Sequence, residues 1–148
     1  MTIELLISTM YQKDYSLLDK MKVRSDVVLI NQCDIDDEKT FTYNGHRVHW
    51  INTTERGLSR SRNMALRNAT ADICMIADDD MEYRSNYVDI VCSAFKENNA
   101  DIIGFQVAGI EKEYKQYASE ERRISYLNSM KMSSVELAFR RDSLIEKR

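Results

Sequence analysis

Three short apolar runs, separated by stretches with helical periodicity, constrain the fold of this chain more than any other feature. IELLIST, Ile3 to Thr9, and DVVLINQ, Asp26 to Gln32, are apolar and β-branched at several positions, and DICMIA, Asp72 to Ala77, has the same character. Strands without apolar–polar alternation are typical of a parallel sheet that is covered on both faces. The runs therefore predict an α/β layer structure.

The stretches between and after these runs have the periodicity of helices that pack on a sheet. DYSLLDKMK carries Leu17, Leu18 and Met21 at helical spacing, and it completes a strand–helix–strand unit of about thirty residues. Two further helices are predicted from Leu58 to Ala69 and from Asn86 to Phe95, and a last strand from Asp101 to Val107. The predicted sheet-facing stripes are Leu58, Ala65, Leu66 and Ala69 in one helix, and Tyr87, Ile90, Val91, Ala94 and Phe95 in the other.

A hairpin is predicted in TFTYNGHRVHW, which alternates around Asn44-Gly45. This dipeptide readily supplies the two positive φ angles of a tight turn.

Composition limits the class of protein and its partners. A chain of 148 residues that is 43% hydrophobic can bury one core, so residues 1–148 are predicted to form a single domain. The net charge of -3 provides no basic field to gather nucleic acid. Cys33, Cys74 and Cys92 have no CxxC spacing, and no leader or membrane-spanning run is recognised. These features predict a cytoplasmic protein with reduced thiols.

The aspartate triplet at Asp78, Asp79 and Asp80 directly follows an apolar strand, in ICMIADDDMEY. Ligands of open α/β sheets bind beyond the carboxyl ends of strands, and a hard divalent cation would relieve the repulsion among these acids. Alternation along an extended backbone would send Asp78 and Asp80 to one side and Asp79 to the other. The pattern predicts a metal site at Asp78 and Asp80; the alternative is a solvated turn that caps the next helix.

Arg62 lies on the sheet-facing stripe of its helix, four residues after Leu58 and four before Leu66. Burial of a guanidinium without an anion is costly, so a negative group is predicted beside it. That group can be a phosphate or, in a structural ion pair, one of the aspartates.

The segment RGLSRSRNMALRNATADICMIADDDMEY, Arg56 to Tyr83, resembles the glycine, Ala-Arg-Asn and Asp-x-Asp segment of family 2 glycosyltransferases. The order of elements is similar from Ile3 to about Val107. The resemblance implies a GT-A (Rossmann-like) fold, with an open, mixed and mostly parallel sheet that has helices on both faces. It also implies inverting, metal-dependent transfer of a sugar from a nucleotide diphosphate, UDP-linked, to a polysaccharide or lipid-linked acceptor.

The resemblance assigns roles to individual residues. Gly57 and Arg62 match the segment that packs against the donor, and Asp78 and Asp80 match Asp-x-Asp, with Asp80 on the Mg²⁺ or Mn²⁺ that holds the diphosphate. The family commonly has Asp-Asp-Gly-Ser after the second strand, where this chain has NQCD, although an amide can still meet a pyrimidine edge. The expected donor-binding residues are Ser8, Thr9, Met10, Asn31, Gln32, Gly57, Arg62, Asp78 and Asp79.

The catalytic base of the family is an aspartate well downstream, and we expect it beyond Arg148. Glu136 and Asp142 are weaker candidates with structural alternatives. The chain is therefore expected to be the donor-binding part of a longer enzyme, truncated at its C-terminus, which by itself turns over poorly. The full enzyme could also associate peripherally with the inner face of a membrane.

Two other functions are consistent with the sequence. A nucleotidyltransferase also pairs an α/β sheet with metal-binding aspartates, but STMYQKDY lacks the glycine-rich, lysine-bearing loop expected after its first strand. The second alternative is a nucleotide-binding or interaction module without catalysis.

Overall fold

The computed structural model describes residues 1–105 and 137–145. The strands of this part are β1 (Ile3–Met10), β2 (Asp26–Gln32), β3 (Asp37–Tyr43), β4 (His46–Thr53), β5 (Ile73–Asp78), β6 (Ile102–Gly104) and β7 (Leu137–Arg140). The helices are α1 (Ser16–Lys20), α2 (Leu58–Asn68), α3 (Tyr87–Glu97) and α4 (Arg141–Ile145). All seven strands join one sheet in the order β3-β4-β2-β1-β5-β7-β6.

The centre of the sheet is parallel and its two edges are antiparallel. β2 and β5 both pair in parallel with β1, and β4 pairs in parallel with β2. β3 runs antiparallel to β4, and β7 runs antiparallel to both β5 and β6. The predicted mixed, mostly parallel α/β sheet is therefore confirmed.

Helices cover both faces of the sheet. Successive side chains of β1 point to opposite sides, so they enter the two layers alternately. Leu5 and Ile7 belong to a core cluster that includes α1 and α3, whereas Leu6 belongs to a second cluster that includes Ala65 of α2. Leu5 and Ile7 are fully buried. Both faces being apolar explains why the strand lacks alternation.

The predicted stripes of the two long helices are partly wrong. Leu58 is 50% exposed, because it is the first residue of α2, and the buried residues of the helix are Ser61 and Ala65. Ile90 is 46% exposed. The buried residues of α3 recur every four positions, and Ile90 lies about 100° around the helix from Val91.

The predicted hairpin is confirmed, and it is longer than its sequence signal. β3 and β4 pair from Tyr43 opposite His46 to Asp37 opposite Asn52. Asn44 and Gly45 have φ angles of 47° and 83°, as the tight turn requires.

The last predicted strand is shorter than its apolar run. β6 covers Ile102–Gly104 of the predicted Asp101 to Val107, and residues 106 and 107 lie outside the described part. Among the described residues, no helix is both long and apolar enough to cross a membrane.

Candidate functional site

The carboxyl ends of the parallel strands meet at one edge of the sheet, and β1 has a parallel neighbour on each side. This arrangement opens a crevice beyond β1, where α/β sheets commonly bind ligands. The register places Thr9 opposite Asn31 on β2 and Ser8 opposite Asp78 on β5. Most of the residues that the sequence assigned to a donor site therefore lie at the carboxyl ends of three adjacent strands.

Only the first of the three aspartates belongs to the strand. β5 ends at Asp78, and Asp79 and Asp80 form a turn in which the Met81 nitrogen donates to the Asp78 carbonyl at 3.4 Å. The alternation expected to align Asp78 with Asp80 therefore does not extend to Asp80. Asp79 accepts a hydrogen bond from Thr9 Oγ1 at 2.8 Å, and Asp80 is exposed. Two of the three acids have partners, which reduces their mutual repulsion.

Arg62 provides the partner of Asp78. One of its Nη2 hydrogens is directed at Asp78 Oδ1 at 3.3 Å, so the predicted negative group beside this guanidinium is a carboxylate of the protein. Within the described part of the chain, the buried Nε of Arg62 has no hydrogen-bond partner. A buried N–H without an acceptor is costly, and this one lies beside a carboxylate in the crevice.

Asn31 and Gln32 are buried at the end of β2, and both amides bond within the protein. Asn31 donates to the Gln12 carbonyl at 3.0 Å and to Asn52 Oδ1 at 2.8 Å, and it accepts from the Gln12 nitrogen at 2.9 Å. Gln32 Nε2 donates to the Gly57 carbonyl at 2.9 Å. The amides predicted to meet a base edge thus hold the loops that surround the crevice.

Gly57 begins α2 at the same edge of the sheet. Its φ of 107° lies in the region that favours glycine, although a Cβ would meet nothing within 4 Å. Its carbonyl accepts from the Ser61 nitrogen at 3.1 Å as well as from Gln32. One turn later, Ser61 Oγ donates to Ser8 Oγ at 2.7 Å, which fixes the helix against β1.

A cluster of Tyr11, Asp34 and Arg56 was not predicted from the sequence. Tyr11 follows β1 with a φ of 51°, and its side chain is 52% exposed. Arg56 Nη2 donates to the Tyr11 hydroxyl at 2.9 Å and to Asp34 Oδ1 at 3.3 Å. The sequence contained one signal for this cluster, which is position: Tyr11 and Asp34 closely follow the ends of two neighbouring parallel strands.

A divalent cation at this edge of the sheet would need oxygen ligands. Among residues 1–105 and 137–145, no group of three or more His, Cys, Asp or Glu side chains is arranged as a metal site. Mg²⁺, however, usually binds through one or two carboxylates together with phosphate oxygens and water. Asp78 and Asp80 supply hard oxygen ligands of this kind, so the residues suit a cation that binds together with a diphosphate.

The remaining candidates are the acids Glu136 and Asp142, the three cysteines and Met10. Glu136 lies outside the described residues, and Asp142 pairs with Arg141 at 2.9 Å in α4. Cys33, Cys74 and Cys92 are free thiols, and burial raises the pKa of Cys74 to about 12. Met10 is exposed at the end of β1.

Comparison with known proteins identifies the family. A model described as Glycosyl transferase family 2 matches residues 15–144. The chain belongs to glycosyltransferase family 2. No curated protein sequence matches the chain.

Solved structures resemble this family 2 domain over nearly its whole length. S. aureus TarS 1-349 is 16% identical, with a TM-score of 0.75 over 99% of this chain and 49% of that one. The same protein in complex with UDP has a TM-score of 0.76, at the same identity and coverage. Its complex with UDP-GlcNAc gives 0.69, at 16% identity, over 99% of this chain and 47% of that one. This likeness shows the fold, which is GT-A-like as expected, and the chain spans about half the length of these structures.

Proposed function

We propose that this family 2 domain is the donor-binding part of a glycosyltransferase that uses a nucleotide diphosphate sugar, UDP-linked, and Mg²⁺ or Mn²⁺. The full enzyme would transfer the sugar with inversion to a polysaccharide or lipid-linked acceptor. Family membership supports glycosyl transfer, and the structurally similar TarS is described in complex with UDP and with UDP-GlcNAc.

The observation that carries the proposal is the position of Arg62 at the crevice. Its guanidinium is partly buried beside Asp78, and its Nε lacks a hydrogen-bond acceptor among the described residues. A diphosphate in the crevice would supply further acceptors to the partly exposed guanidinium, and charge-assisted hydrogen bonds of this type are about twice as strong as neutral ones. A cation on Asp78 and Asp80 would supply positive charge to the same diphosphate.

The two ends of the crevice suit the two ends of a nucleoside diphosphate. Toward β5, Arg62 with Asp78 and Asp80 suits the charged diphosphate. Toward β2, the exposed ring of Tyr11 offers a stacking surface, and Asp34 offers an acceptor for a ring N–H. Uracil has such an N–H between its two carbonyl groups, which favours a uridine nucleotide at this end.

The chemistry assigned to the described residues is binding and orientation of the donor. A bound divalent cation would stabilise the diphosphate as it departs from the anomeric carbon. The general base that takes the acceptor proton is proposed to lie beyond Arg148, as in the family. Ser8 and Thr9 fix the crevice through contacts with Ser61 and Asp79.

Calorimetric titration of UDP with and without Mn²⁺ tests this proposal. We expect Mn²⁺-dependent binding, and Asp80→Asn should weaken it at least about tenfold, the lower range for mutations that disturb metal sites. Asp89→Asn is the matched control, because Asp89 is exposed on α3. A wild-type chain that binds no UDP with Mn²⁺ would contradict the proposal. Preference for a nucleoside triphosphate would instead favour a nucleotidyltransferase.

A further inference from the structure

Arg56 closes the β2 end of the crevice with its own side chain. Nη1 donates to the carbonyls of Thr54 and Glu55 at 3.0 and 3.3 Å, while Nη2 donates to the Tyr11 hydroxyl and to Asp34. The guanidinium carbon lies 5.4 Å from the centroid of the Tyr11 ring. One flat cation thus covers an aromatic ring and occupies the carboxylate next to it.

These contacts are exposed to solvent, so they are easily broken. The side chains of Arg56 and Asp34 are 41% and 82% exposed. An ion pair with this exposure contributes little to stability, since water and salt screen it. The backbone below is better fixed, because the Tyr11 nitrogen donates to the Gln32 carbonyl at 2.9 Å. The main chain of Tyr11 is therefore held in place independently of the guanidinium.

Arg56 presents the same features that a nucleobase would present to this surface. A guanidinium is planar, stacks on aromatic rings and donates N–H groups to carboxylates. A pyrimidine with a ring N–H would use the same ring and the same Asp34 carboxylate. The guanidinium and the base would therefore compete for this surface.

We infer that Arg56 is a displaceable plug of the base-binding end of the crevice, held on Tyr11 and Asp34 until a nucleobase replaces it. The inference rests on the proposed function and assigns to Arg56 a control of donor affinity. A nucleotide must first break the contacts of Arg56 with Tyr11 and Asp34. Its apparent affinity for the protein is therefore lower, the larger the fraction of molecules in which these contacts are made.

Arg56→Ala tests this inference in calorimetric titrations with UDP and Mn²⁺. Removing a competitor of this exposure should tighten binding about two- to fivefold. Arg60→Ala is the matched control. Arg60 is exposed on α2, and its substitution removes the same charge but leaves the contacts of Arg56 with Tyr11 and Asp34 intact. Arg60→Ala should leave UDP affinity unchanged or slightly weaker. Arg56→Lys keeps the charge but not the planar guanidinium, so it should increase the affinity for UDP less than Arg56→Ala does.

Titration with uridine separates the plug from a simple charge effect. Uridine carries no phosphate, so its binding to Arg56→Ala should also tighten relative to wild type. Wild type that binds UDP while Arg56→Ala binds it equally or more weakly would overturn the inference and leave the proposed function standing. Wild type that binds no UDP would overturn both. Thermal unfolding of each variant verifies that the exposed substitutions leave the fold intact.

Discussion

Glu4 places a carboxylate inside the sheet, at the end of β1 away from the crevice. Its Oε1 accepts hydrogen bonds from the backbone nitrogens of Thr70 and Ala71 at 2.9 and 3.4 Å, which ties the loop between α2 and β5 to the central strand. Burial raises the pKa of Glu4, and the two backbone hydrogen bonds and the charge of Arg47 oppose that rise. The same carboxyl group thus holds a loop in place and lies in a buried position that disfavours its ionisation.

The raised pKa of Glu4 predicts the direction of a pH effect on stability. Folding favours the protonated carboxyl, so its contribution is complete below the ordinary value of 4.5 and is lost as pH rises through the folded pKa. Glu4→Gln keeps an acceptor oxygen and cannot ionise. We expect the unfolding free energy of Glu4→Gln, relative to wild type, to increase with pH above about 4.5 and then level off.

Urea unfolding at several pH values measures this difference. Glu97→Gln, at an exposed position at the end of α3, makes the same chemical change outside the core and is the control for the substitution itself. A difference for Glu4→Gln that does not change with pH would show that the burial of Glu4 has no effect on its ionisation.

Single residues were predictable where a repeating pattern fixed their direction. Arg62 was expected to face inward because it lies on a helical stripe, and the structure places it against Asp78. Tyr11 and Arg56 were not expected together, because the paths of the loops after β1 and β4 decide their meeting. Periodicity carries no information about such paths. The turn that contains Asp79 and Asp80 was predicted only as the alternative to an extended metal site.

At the scale of elements, two tyrosines attach α3 and the chain before it to the loop between α1 and β2. Tyr83 and Tyr87 are buried with ring centroids 4.8 Å apart, and the Tyr83 nitrogen donates to the Met21 carbonyl at 2.9 Å. The Tyr87 hydroxyl donates to Ser25 Oγ and accepts from the Arg24 nitrogen, both at 2.8 Å. The segment after the aspartate triplet is thereby fixed to the core.

Tyr87→Phe should destabilise the fold, because it removes both hydrogen bonds and leaves the Arg24 nitrogen without its acceptor. We expect a loss of about 1–3 kcal/mol in the free energy of unfolding, measured in urea. Tyr83→Phe is the matched control, since within residues 1–105 and 137–145 the Tyr83 hydroxyl has only a weak contact, with Met81 Sδ at 3.9 Å. Equal losses in the two variants would contradict a specific stabilising role for the two hydrogen bonds of the Tyr87 hydroxyl.

The identity of the elements could be predicted better than their arrangement. Strands buried on both faces, the two long helices and the Asn44-Gly45 hairpin all have local signals, and the structure contains each of them. The position of β7 between β5 and β6 has no such signal. It depends on pairing between residues that are far apart in sequence, such as Cys74 and Phe139.

At the scale of the whole molecule, the central strand β1 joins two apolar layers into one core. Leu5 lies between Val27 and Met75 of its neighbouring strands and contributes to the cluster under α1 and α3. Leu6, the next residue, contributes to the cluster under α2. Because the strand is shared, a cavity on either face should lower the stability of the entire domain.

Leu5→Ala should therefore cost about 2–5 kcal/mol in the free energy of unfolding, the range for leucines that leave a cavity when truncated. Leu58→Ala makes the same chemical change at a half-exposed position of α2 and should cost less than about 1 kcal/mol. Urea unfolding followed by circular dichroism gives both values. Since the two layers share β1, Leu5→Ala should shift the midpoint of one transition without changing its slope. Two separate transitions, or similar losses in both variants, would contradict a core that folds as a unit.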